Sequence, residues 1–125
     1  MRHRLYTAQR ILHLDLNDGG SAQRALEHAI PMLEARPDLW EWDWIVDSRI
    51  LPVDASVAQI ARLAEMFRQP ARTAITAFAT DDRFLHLWAR VMDFQFPGRK
   101  HLVVANARAA LRLIKVRRAT KMNRI

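Results

Sequence analysis

The apolar positions along this chain change period several times, and each change marks an element boundary. From Arg10 to Leu16 they alternate, with Leu12, Leu14 and Leu16 on one side, which predicts a strand. Arg4-Leu5-Tyr6 pairs with it across Thr7-Ala8-Gln9, giving an N-terminal β-hairpin. The Asn-Asp-Gly-Gly run at 17–20 ends the alternation, and Ser21 is a helix N-cap. Ala22, Ala25, Leu26, Ala29 and Leu33 then recur at helical spacing, while Pro31 predicts a kink or a split in that helix. Residues 40–47 alternate again, with Trp40, Trp42, Trp44 and Val46 on one side, the strongest strand signal in the chain. On that reading the tryptophans fill the space between sheet and helices, with Trp40 exposed at the strand entrance.

The second half repeats the strand–helix rhythm. Asp54 is expected to cap a helix with the stripe Val57, Ile60, Ala61, Ala64 and Phe67. Residues 73–79 read as a strand, and Thr80-Asp81-Asp82 as the start of a helix that buries Trp88, Val91 and Met92. Phe96-Pro97-Gly98-Arg99 reads as a turn before a short buried strand over 101–105. Asn106 is the expected cap of a last helix with Ala107, Ala110, Leu111 and Ile114 inward. The order is a hairpin and then strand–helix units, so the expected class is α/β: a mostly parallel sheet covered by about four helices. We expect one domain over residues 1–116 and a basic tail over 117–125.

Composition narrows the classes. The chain has 125 residues, half of them hydrophobic, with three glycines and no cysteine. That excludes disulfide frameworks, thiolate catalysis and cysteine-based zinc sites. The N-terminus shows no leader pattern and no apolar run reaches membrane-spanning length, so a cytoplasmic protein is the expectation. The net charge of +7 is unevenly spread. Residues 11–98 hold eight arginines against all 13 acids, whereas residues 99–125 hold nine basic residues and no acid. Arg112, Lys115, Arg117, Arg118, Lys121 and Arg124 form the resulting basic patch, a candidate site for polyanions.

The motif inventory offers no dinucleotide or phosphate loop, no metalloprotease helix and no nucleophile elbow. The five histidines lack metal-ligand spacing and read as surface residues, so neither an enzyme nor a cofactor is expected. Ligands of open α/β sheets gather beyond the carboxyl ends of the strands. Here those ends place Asp47, Arg49, Asp81, Asp82 and Asn106 together as a candidate ligand edge, in competition with helix capping.

Trp44-Ile45-Val46-Asp47, a helix from Asp54, Arg72-Thr73-Ala74-Ile75, Thr80-Asp81-Asp82 and the closing run from Val103 to Leu111 form a pattern of their own. It resembles the SpoIIAA-like group of bacterial proteins, related to STAS domains and to the lipid-binding Sec14-type fold. The resemblance covers residues ~5–115 and implies a compact regulator with a phosphorylatable serine in an Asp-Ser-Ser-Gly turn. The corresponding stretch here is Asp54-Ala55-Ser56-Val57, in which Asp54 and Ser56 match and the other two depart. A phosphate on Ser56 would sit favourably near a helix N-terminus.

Three readings therefore stand open. The first is a non-enzymatic regulatory module acting on a protein partner. The second is a small-molecule or lipid-binding domain, with an apolar pocket lined by Trp44, Trp88, Met92 and Phe96. The third is polyanion binding through the basic C-terminus, with nucleic acid the least favoured partner. The Trp40 strand edge and the last helix are the faces expected to support a homodimer.

Overall fold

In the computed structural model, residues 2–17, 21–48, 56–81 and 85–122 are described. The hairpin forms as the alternation predicts: β1 (Arg2–Tyr6) runs antiparallel to β2 (Ile11–Asp15), with Leu5 opposite Leu12. Its turn closes through Arg10, whose φ of 53° is in the left-handed region and whose carbonyl receives the Asp43 N–H at 3.2 Å. Helix α1 (Ala22–Ala35) starts on Ser21, whose hydroxyl accepts the Arg24 N–H at 3.1 Å. It runs through Pro31 as one helix, so of the kink or split expected there the split does not occur. Ala29 and Leu33 are buried on either side of the proline, so packing holds both halves in one helix.

The tryptophan segment departs most from its pattern. Pro37–Glu41 is a short 3₁₀ helix, and β3 begins only at Asp43 and ends at Asp47. Proline at the start of the turn has a φ suited to it, and Arg36 braces Asp38 through two bonds of 2.9 and 2.8 Å. The turn folds Trp40 inward, where it is 1% exposed, so the expected exposure of Trp40 is corrected. Trp44 Nε1 fastens the turn by donating to the Leu39 carbonyl at 2.8 Å.

The remaining elements are α2 (Val57–Ala64), β4 (Ala74–Ala79), α3 (Leu85–Gln95), β5 (Arg99–Val104) and α4 (Ala107–Met122). The five-stranded sheet has the order β1-β2-β3-β4-β5, with β2 to β5 mutually parallel. Strands added one after another in the same direction, through right-handed crossovers, put all the crossover helices on one face. Accordingly α1, α2 and α3 pack with Leu12, Leu14, Trp44, Val46 and Phe78. Helix α4 returns on the opposite face, where Ala110 and Ile114 meet Ile11, Ile45, Ile75 and Ala77. The fold is thus a single small α/β domain with a mixed sheet and four helices.

Two expectations about the surface change. β3 is an interior strand, so the predicted Trp40 strand edge for a dimer does not exist. The chain from residue 117 is helical to Met122, continuous with α4 rather than a separate tail. Arg118 ties that extension down, donating to Asp43 Oδ2 at 2.9 Å and to the Gln9 carbonyl at 2.6 Å. No helix among the described residues is long and apolar enough to cross a membrane.

A candidate binding cavity beneath helices 1 to 3

Between the sheet and α1–α3 lies a cavity of about 190 Å³. All four pocket residues named from the sequence, Trp44, Trp88, Met92 and Phe96, line it. Its walls arise from strand alternation: Leu14, Trp44, Val46, Thr76, Phe78 and His101 all point to the same face of the sheet. The opposite wall is helical and mixes Ala22, Ala25 and Ala29 of α1 with the larger Ile60, Leu63 and Met92 of α2 and α3. Where the bulky rings of the sheet face those alanines the two layers do not fill the space between them, and what is left over is the cavity.

Part of its lining is an aromatic cluster. Trp40 packs against Trp44 with ring centroids 5.0 Å apart, and edge-on against Phe67 at 5.2 Å. Phe67 in turn meets Phe96 edge-on at 5.3 Å. Set into this cluster is Arg99, 4% exposed. Its Nε donates to Thr76 Oγ1 at 3.1 Å and its Nη1 to the Trp40 carbonyl at 2.9 Å. Nη2 donates to the carbonyls of Trp42 at 3.0 Å and Ile75 at 3.2 Å. The guanidinium carbon lies 4.3 Å from the centroid of the Trp44 ring. Arg99 so bridges the 3₁₀ turn to β4, and no carboxylate among the described residues forms an ion pair with it. Burial pulls its pKa down to about 10, with Asp43 and Glu41 opposing from a distance.

His101, two residues along β5, also borders the cavity and is buried. Its Nδ1 lies 3.0 Å from Asp93 Oδ1, which also accepts the His101 N–H at 2.7 Å. Burial drives the imidazole pKa down to about 4 despite the Asp93 contact, so the ring is neutral near pH 7. Burial pushes the Asp93 carboxyl up, but bonds from the His101 backbone and ring and from Lys100 outweigh it and hold it below its ordinary value.

Arg99 and His101 were not among the residues singled out from the sequence. Arg99 was counted with the basic C-terminus and His101 with the surface histidines, and both assignments are corrected by their burial. The readable signal was their period of two with Val103, directly after Gly98. Gly98, at φ 91°, completes the turn, and its carbonyl accepts the Ala74 N–H at 3.1 Å, setting Arg99 in register with Ala74.

Ser56 is half-buried and also lines the cavity. It is the cap of α2: its Oγ accepts the Gln59 N–H at 3.3 Å while Gln59 Oε1 accepts the Ser56 N–H at 2.9 Å. This reciprocal capping box assigns Ser56 the capping role expected of Asp54. Arg49, Asp54, Asp82 and Arg124, with the side chain of Lys121, lie outside the described residues.

The candidate ligand edge does form a second, polar hollow, which brings Asp47, Asp81, Asn106 and Arg108 together. Its polar groups already have work: Asn17 Nδ2 donates to Asp47 Oδ1 at 3.1 Å, and Asn106 Oδ1 accepts the Ala109 N–H at 2.8 Å. No group of three or more potential ligands among the described residues is placed to hold a metal ion. On α4, Arg112, Lys115 and Arg117 are exposed, whereas Arg118 leaves the basic patch for its bonds to Asp43 and the hairpin turn.

Compared with protein families, with curated proteins and with solved structures, this chain has no match.

Proposed function

We propose that this chain is a small-ligand-binding module, its ligand held between the sheet and α1–α3. The observation that carries this reading is the 190 Å³ cavity, bounded by apolar side chains except for a few polar groups. Apolar pockets with a small number of placed polar groups are the usual form of ligand sites. A cavity of ~150 Å³ lined by aliphatic and aromatic groups is large enough for a benzene-sized guest. The order of hairpin and strand–helix units supports relating the fold to the SpoIIAA-like group and its Sec14-type relatives. Within that relation the ligand-binding reading has more support than the regulatory one, because Ser56 is committed to capping α2.

A thermal-shift series with octan-1-ol as the probe tests it. Binding to the native state alone raises the melting temperature with ligand concentration. We expect that rise in the wild type and its loss in Ala29→Leu, which extends a side chain from α1 into the cavity. No shift in the wild type, or an equal shift in Ala29→Leu, would remove the reading.

A further inference from the structure

We propose that the cavity selects a small monocarboxylate, one aromatic ring or a short alkyl chain in the cavity with its carboxylate against Arg99. The proposal rests on the ligand-binding reading above and adds the chemical class of the ligand.

The argument begins with charge. Arg99 is a buried cation that donates to one hydroxyl and three backbone carbonyls, all neutral. The two acids nearest in effect are already engaged. Asp43 accepts the Ile75 N–H at 2.8 Å through Oδ1 and pairs with Arg118 at 2.8 Å through Oδ2. Glu41 accepts the Ala71 N–H through both oxygens, at 3.0 and 3.2 Å. A guanidinium has about five N–H donors, and the four bonds of Arg99 leave one on Nη1 for a further acceptor. In an apolar surrounding an anion brought to that group interacts far more strongly than it would in water.

Shape and charge number narrow the class. Thr76, Arg99 and His101 cluster at one end of the cavity: Thr76 and His101 are register partners, and Arg99 bonds Thr76. Ser48 lies four residues beyond Trp44 along the parallel strands, about 13 Å away at the rise of a strand, and the side chains between are apolar. That length suits a short alkyl chain or one ring, with a polar head at the Arg99 end. Among the described residues, Arg99 is the one lysine or arginine that lines the cavity. His101, neutral and turned to Asp93 through Nδ1, offers no positive charge, and Lys100 pairs with Asp93 at 3.2 Å. A single cation matches a carboxylate better than a doubly charged phosphate.

The experiment titrates the intact wild-type chain, by calorimetry and by tryptophan emission, with octanoate, octan-1-ol and octylammonium. Trp40, Trp44 and Trp88 line the cavity and report its occupation. We expect octanoate to bind about tenfold or more tighter than octan-1-ol, and octylammonium to bind weakest of the three. In Arg99→Met the octanoate preference should vanish. The ligand series on the wild type carries the test even where that variant does not fold. Equal affinity for octanoate and octan-1-ol would overturn the Arg99 assignment while leaving the ligand-binding reading intact. Absence of binding by all three would overturn both.

Discussion

On one face of the sheet, α4 lays Ala110 and Ile114 against Ile11, Ile45, Ile75 and Ala77, and every one of these six is at most 5% exposed. On the other face, three helices meet the rings of Trp40, Trp44, Phe78, Trp88 and Phe96 and an arginine, and a cavity of about 190 Å³ remains among them. The two faces share the same backbone, strand for strand, so the backbone does not explain the contrast. Side-chain shape does. Branched aliphatic groups on successive pleats interlock with a single regular helix. Large rings pack on one another at fixed angles, and where they face the alanines of α1 space remains. One face is therefore built to be closed, and the other holds room and a buried charge.

The largest expected effect separates the faces by truncation. Ile114→Ala, at a position with no exposure, should cost about 4 kcal/mol in urea unfolding. Met92→Ala should cost about half of that, because Met92 already borders open space and is only partly buried. Equal losses would mean that the two cores are packed alike.

The next effect concerns the titratable group on the open face. His101 has its pKa lowered from 6.5 to about 4 in the folded protein. Between those values the unfolded chain binds more protons, so stability falls as pH drops from 6.5 towards 4. The loss should reach at most about 3 kcal/mol, and the Asp93 carboxyl, held low in the fold, extends it below that window. The titration is set by Asp93, Arg99 and Lys100 around the ring. Urea midpoints measured across this pH range should show the slope in the wild type and a flatter one in His101→Phe. Identical slopes would place the ring in solvent.

The smallest effect comes from adding volume. Ala110→Leu on the closed face should cost about 2 kcal/mol, since extra methylene groups there have nowhere to go. Ala29→Leu on the open face should change stability by less than about 1 kcal/mol, because the side chain grows into existing space. A large loss in Ala29→Leu would mean that the cavity cannot accept atoms.

Much of this architecture is legible in the sequence. The alternation from Ile11 to Leu16 identified β2 and its inward face. Ser21 and Asn106 announced the starts of α1 and α4, because short polar side chains satisfy free backbone N–H groups locally. Trp44, Trp88 and Met92 could be grouped as one apolar lining, since each sits on the inward period of its own element, and Phe96 joins them from the turn directly after α3. These features depend on neighbours a few residues away, and spacing along the chain records such neighbours.

What the tertiary structure alone decided involves partners far apart in sequence. Arg99 bonds the carbonyls of Trp40 and Trp42, 59 and 57 residues away, and nothing local separates it from the basic residues that follow. Trp40 matched the strand period yet turned inward on a 3₁₀ helix, where Phe67 and Phe96 complete its packing. Arg118 belonged by composition to a basic tail, and its position follows from Asp43, 75 residues earlier. The sequence by itself determined most of the elements and which side of each turns inward, the 3₁₀ turn at Trp40 excepted, because local geometry sets both. The tertiary structure decided which charges are buried, since burial depends on what the rest of the chain packs around them. It also decided that the inward aromatic side would keep a cavity, because that depends on the shapes meeting across two layers.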